Sequence, residues 1–89
     1  MIARVKMYTA SACSYCRRAK NLLSRKGIPF EEVDVTSDAE TREWLVRETG
    51  RRSVPQIFID QRPIGGFDEL CSLDERGELE LFVGPAGPS

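Results

Sequence analysis

Histidine is missing from this chain, and cysteine occurs only three times, at Cys13, Cys16 and Cys71. That scarcity rules out a self-contained structural zinc site, which takes four nitrogen or sulfur ligands, so zinc would need a second chain. Charge of one sign is also lacking. Thirteen basic and fourteen acidic residues leave a net charge of −1, which gives no basic field for nucleic acid and no polybasic membrane anchor. No stretch approaches the ~20 apolar residues that span a bilayer, and the N-terminus has no apolar signal core. Neither nucleic acid nor membrane is an expected partner, and a cytoplasmic location is expected. Sparse thiols, two of them in a redox spacing, fit a reducing compartment. There is no internal repeat or low-complexity domain. The 89 residues suffice for one modest core without metal or multiple disulfides. Residues 1–84 are expected to form one domain and residues 85–89, rich in proline and glycine, a disordered tail.

What the chain does have is Cys13-Ser14-Tyr15-Cys16, placed where an alternating β run gives way to a helical pattern. From Ile2 to Thr9, Ile2, Arg4, Lys6 and Tyr8 alternate with Ala3, Val5 and Met7; from Ser14 on, Cys16, Ala19, Leu22 and Leu23 recur at helical spacing. Cys13 therefore falls at a helix N-terminus. Unpaired N–H groups and the positive end of the helix dipole favour a thiolate there, and Arg17, one turn on, acts in the same direction. Cys16 lies one turn deeper. The spacing assigns attack to Cys13 and resolution to Cys16. A purely structural disulfide is disfavoured, because so small a loop contributes little chain-entropy stabilisation.

Lys26-Gly27 stops the first helix, and a second strand is expected over Phe30 to Val35. Ser37-Asp38-Ala39-Glu40 reads as a capping box with Ser37 as the cap, opening a helix that runs to about Gly50. On that helix Ala39, Arg42, Leu45, Val46 and Thr49 share a broad arc, while Trp44 points almost the opposite way and is expected as a partly exposed surface residue. Arg42 on a sheet-facing stripe either snorkels to an edge or serves an anionic ligand near Cys13. Val54 to Asp60 is the best strand, with Gln61 to Gly65 returning as a hairpin whose Pro63 marks a sheet edge. Gly65-Gly66 permits close backbone approach before a helix starting near Phe67-Asp68-Glu69, whose N-terminus is a second anion site. Leu73 to Val83 is expected to continue helical with a break near Gly77. The order β-α-β-α-β-β-α, with Cys-x-x-Cys at the first strand-to-helix junction and a proline opening the third strand, gives the α/β thioredoxin fold: a four-stranded mixed sheet with helices on both faces.

Three segments carry a closer likeness: Met7-Tyr8-Thr9 leading into Cys13 to Lys20, Gly50 to Ile59 with Ser53-Val54-Pro55, and Ile64 to Leu70 with Gly65-Gly66. Over nearly its whole length the chain resembles the glutaredoxins, in particular the small bacterial dithiol type. The resemblance implies a glutathione-dependent disulfide oxidoreductase acting on protein disulfides and glutathione mixed disulfides, in electron transfer and cell redox homeostasis. It further implies a cis Pro55, with the Val54 backbone pairing with the cysteinyl part of glutathione as an added strand. Tyr15 lies in the same binding site. The γ-glutamyl carboxylate is expected on the N–H groups of Asp68 and Glu69, their side chains facing its ammonium, and the glycyl carboxylate on Arg42.

The chain departs from the pattern at several positions. Ala10 stands where the family usually has lysine, which leaves the glycyl end to Arg42 with Arg51 or Arg52. Ser53 replaces threonine, and Glu69 replaces aspartate. Ser14 replaces proline between the cysteines, and relatives with serine there suggest an alternative: a [2Fe-2S] cluster held between two subunits by Cys13 of each and two glutathiones. Without a cluster a monomer is expected. A flavoprotein-driven, thioredoxin-like reductase is a further rival, but the tryptophan-containing C-terminal motif of such redoxins is absent. Cys71 reads as a small buried apolar residue, with a regulatory thiol or an intermolecular disulfide left open.

Overall fold

The structure, a computed structural model, describes residues 4–83. Ile2 and Ala3 of the expected first strand and the tail expected at 85–89 lie outside them. Strand β1 (Val5–Thr9) directs Val5 and Met7 to one face and Tyr8 to the other, and all three are buried, because the strand lies inside the sheet. The chain continues through α1 (Ser14–Arg25), β2 (Glu31–Asp34), α2 (Ala39–Thr49), β3 (Gln56–Ile59), β4 (Arg62–Gly65), α3 (Phe67–Glu75) and α4 (Leu79–Val83). The sheet order is β2-β1-β3-β4. The β1–β2 pair is parallel, while β1–β3 and β3–β4 are antiparallel. This is the expected thioredoxin arrangement, with the break before α4 at Gly77 (φ 70°).

Two cores sandwich the sheet. On one face Ala19, Leu22 and Leu23 of α1 meet Leu70 and Leu73 of α3, Leu79 and Val83 of α4, and Val5, Met7, Ile57 and Ile59 of the sheet. On the other, Leu45 of α2 meets Tyr8, Val35 and Phe58. Each fully buried aliphatic side chain contributes about 1.5–3 kcal/mol, so the larger core holds α1 and α3 together above the sheet. The edge strands are blunted against further pairing by Glu31, Glu32 and Asp34 on β2 and Pro63 on β4. No helix among the described residues is long and apolar enough to cross a membrane.

The structure corrects two expectations about α2. The cap is Asp38, not Ser37: Asp38 accepts the Thr41 N–H at 3.1 Å and the Thr41 hydroxyl at 2.7 Å. A carboxylate interacts more strongly than a hydroxyl with the positive helix end, and the two Thr41 bonds hold its carboxyl below the usual range. The helix is also rotated from the expected arc. Trp44 turns inward, stacked on Phe58 at 5.7 Å with 23° between ring planes and tilted on Tyr8 at 5.8 Å, while Ala39 and Arg42 are exposed. The indole carries the largest apolar surface of α2, and two rings on the sheet are there to receive it. Trp44→Ala is accordingly expected to cost about 2 kcal/mol, a fall in melting temperature of roughly 8–16 °C. A shift below about 2 °C would mean the indole contributes no packing.

Candidate functional site

The site forms where β1 ends and β3 begins. Because β1 and β3 are antiparallel, with Tyr8 opposite Gln56, the loop after Thr9 is brought beside Val54-Pro55. The 10–12 loop is tied to the end of β2: the Ser11 N–H donates to Thr36 Oγ1 at 2.7 Å, and Thr36 is itself held by Asp34 Oδ1 at 2.8 Å. Ala12 turns the chain at φ 56°, and Cys13 follows as the N-cap of α1.

Cys13 Sγ accepts the Cys16 N–H at 3.1 Å, and its thiol faces the Val54 carbonyl at 3.8 Å across a cis Val54-Pro55 bond. A backbone N–H aimed at the sulfur stabilises negative charge on it. Cys16 differs in every respect. It is 2 % exposed, and burial, followed by its hydrogen bond to Cys13, pushes its thiol up to about 12. Both are free thiols. The two sulfurs thus differ in setting: that of Cys13 caps the helix beside Val54, and that of Cys16 is buried beneath it.

Around Cys13 the other expected residues take up two flanks. Arg42 lines a groove with Arg51, Arg52 and Val54, all beside the Val54-Pro55 turn. On the opposite flank, α3 begins at Gly66, close enough to Pro55 that a Cβ on Gly66 would lie 3.1 Å from the Pro55 carbonyl. The first N–H paired within α3 is that of Leu70, and among the described residues those of Phe67 and Asp68 have no partner, while that of Glu69 faces its own carboxylate. Asp68 is exposed. Glu69 is turned back onto its own helix start, with Oε1 accepting the Gly66 N–H at 2.7 Å and Arg51 Nη1 at 3.2 Å, and these bonds lower its carboxyl below the usual range.

Tyr15 is exposed and leans on Phe67 with ring centroids 5.8 Å apart, while the Arg18 guanidinium sits 5.5 Å over the tyrosine ring. The Phe67 and Arg18 contacts were not expected from the sequence; helical spacing of Arg18 from Tyr15 was the available signal. Cys71 lies one turn beyond Phe67, in a groove between α1 and α3, half-buried against the main core. Burial and the nearby Glu75, Asp68 and Asp74 raise its thiol, which suits packing better than reactivity. Among the described residues no group of three or more histidine, cysteine or acidic side chains could hold a metal. Cys13 is the one sulfur presented outward at the site, so the cluster alternative would draw its remaining ligands from outside this chain.

A sequence model of the glutaredoxin family matches residues 5–64. Glutaredoxin 3 of Escherichia coli K12 is 49% identical over 82 residues, 92% of this chain and 99% of that protein. A solution structure of a glutaredoxin from Brucella melitensis superposes with a TM-score of 0.85 at 38% identity, covering 99% of this chain and 96% of the other. A crystal structure of a buckwheat glutaredoxin–glutathione complex gives 0.84 at 27% identity, over 91% and 76% of the two chains. With its half-buried N-cap cysteine, fully buried second cysteine and these matches, the chain belongs to the glutaredoxin family of thiol-disulfide oxidoreductases.

Proposed function

We propose that this protein uses glutathione to reduce glutathione mixed disulfides and protein disulfides, with Cys13 as nucleophile and Cys16 as resolving thiol. The setting of Cys13 carries the reading: its sulfur caps α1 and lies 3.8 Å from the Val54 carbonyl, and the Val54 N–H has no partner among the described residues. A peptide laid along Val54 as an added strand would bring its own sulfur to Cys13. Glutathione has a charged group for each flank. Its γ-glutamyl carboxylate suits the open N–H groups of α3, its ammonium suits Asp68, and its glycyl carboxylate suits Arg42 and Arg52. The buckwheat relative bound to glutathione supports the assignment.

In the reaction the Cys13 thiolate attacks the glutathionyl sulfur of a mixed disulfide. The old S–S bond breaks, the target leaves as a thiolate and takes a proton, and Cys13 is left glutathionylated. A second glutathione thiolate then attacks the glutathionyl sulfur, giving oxidised glutathione and free Cys13. For a protein disulfide, Cys16 instead attacks the Cys13 sulfur and expels the target's second thiol. The test is NADPH oxidation coupled through glutathione reductase, with a glutathionylated peptide as substrate. Turnover that saturates in glutathione is expected; turnover driven only by a flavoprotein reductase, indifferent to glutathione, would overturn the reading. Anaerobic purification with glutathione is expected to give a colourless monomer, whereas a brown dimer that bleaches to monomer in air would assign Cys13 to a bridging cluster.

A further inference from the structure

Asp68 and Glu69 are adjacent acids at the start of one helix, yet their surroundings give them different work. Asp68 is exposed and has no hydrogen-bond partner among the described residues. Glu69 is committed twice: Oε1 takes the Gly66 N–H at 2.7 Å and Arg51 Nη1 at 3.2 Å. Its stem also fills the space left by the missing side chain of Gly65, where a Cβ would fall 2.6 Å from both Glu69 Cγ and Oε1.

Arg51 belongs to the loop before β3 and shares the groove that holds Arg42, Arg52 and Val54. The Glu69–Arg51 pair therefore ties the first turn of α3, on one flank of Cys13, to the arginine-bearing loop on the other. An exposed ion pair such as this adds little stability. Its effect is on geometry, since it fixes the distance between the groups that would receive the two ends of a ligand. An aspartate here, one methylene shorter, could not make both contacts from the same backbone position.

We propose that Glu69 is a positioning residue that holds the α3 start and Arg51 at a set separation, and that Asp68 alone meets the ligand's ammonium group. This rests on the glutathione reading. It makes Glu69 part of the scaffold of the site and removes it from the ligand-contacting set.

The test compares glutathione with N-acetylglutathione, which lacks the ammonium, in the coupled assay with wild type, Asp68→Asn and Glu69→Gln. Glutamine keeps an acceptor for the Gly66 N–H, so the helix start is retained while the negative charge facing Arg51 is lost. Asp68→Asn is expected to raise KM for glutathione about tenfold and to leave that for N-acetylglutathione unchanged, abolishing the discrimination between them. Glu69→Gln is expected to raise both KM values together, about threefold, with kcat and the discrimination preserved, and Arg51→Met should reproduce it. Loss of discrimination in Glu69→Gln would overturn the proposal, as would unchanged discrimination in Asp68→Asn or an unchanged KM in Glu69→Gln. Wild type that ignores glutathione altogether would instead overturn the underlying function, so the two failures are distinct.

Discussion

Cys13→Ser is expected to bring reduction of every disulfide substrate to background, while Cys16→Ser keeps the reduction of glutathione mixed disulfides within about threefold of wild type. The asymmetry follows from the placement of the two sulfurs. Cys13 caps α1, half-buried, with a backbone N–H directed at its sulfur; Cys16 lies under the helix, 2 % exposed. A serine hydroxyl at position 13 makes no disulfide, and the neighbouring Cys16 thiol is buried under the helix where a substrate disulfide does not reach it. In Cys16→Ser the glutathionylated enzyme is still open to a second glutathione, so the monothiol route survives. Protein disulfides are different. Without glutathione, Cys16→Ser should stop at the mixed disulfide with its target, visible as a covalent adduct by mass spectrometry. Activity remaining in Cys13→Ser would sink the assignment.

The same geometry sets a pH dependence. Burial, then the hydrogen bond that the Cys16 thiol donates to Cys13 and the charge of Cys13, push Cys16 up to about 12, so at pH 7 the Cys16 thiolate is a very minor species. Once Cys13 is in a mixed disulfide its charge and hydrogen bond are gone, and Cys16 falls toward the balance of burial, which raises it, against the Ala10 backbone and Lys20, which lower it. It still lies above neutrality, so its thiolate fraction grows with pH. Single-turnover resolution of a protein mixed disulfide should therefore quicken by about tenfold per pH unit between pH 6 and 8. Glutathione-dependent release in Cys16→Ser tracks the thiol of glutathione instead. A flat profile in the dithiol route would remove Cys16 from the resolving role.

The course of the chain and the place of Cys13 at a helix start were legible in the sequence because each rests on local periodicity. The change from alternation to helical spacing places Cys13 at a helix start, and Pro63 marks β4 as an edge, since a proline cannot complete a ladder. What was not legible depends on contacts between distant segments. The face of α2 is chosen by Tyr8 and Phe58, which belong to two different strands, and no arc drawn on the helix alone includes them. Ser37 and Asp38 are both good caps, and the choice of Asp38 turns on its two bonds to Thr41. Glu69 looked like a second copy of Asp68 because Arg51 is eighteen positions away in the chain.

Gly65→Ala is expected to destabilise the protein by about 3 kcal/mol, a fall in melting temperature of roughly 12–24 °C. Two causes add. Gly65 has φ 118°, a region in which a side chain is strained, and the new Cβ would meet Glu69 Cγ, Oε1 and Cβ at 2.6, 2.6 and 2.8 Å. Backbone strain persists whatever occupies position 69, whereas the clash requires the Glu69 stem. A double-mutant cycle separates them. Glu69→Ala alone should cost about 1 kcal/mol through the lost bond to the Gly66 N–H. If Glu69 fills the space above Gly65, the double variant should be destabilised by about 3 kcal/mol rather than the sum of about 4, a coupling of roughly 1 kcal/mol. Additivity would mean that the glutamate swings clear at no cost and that Gly65 serves the backbone alone. Coupling would tie the double glycine to the position of Glu69, and through Glu69 to Arg51 on the far flank of Cys13.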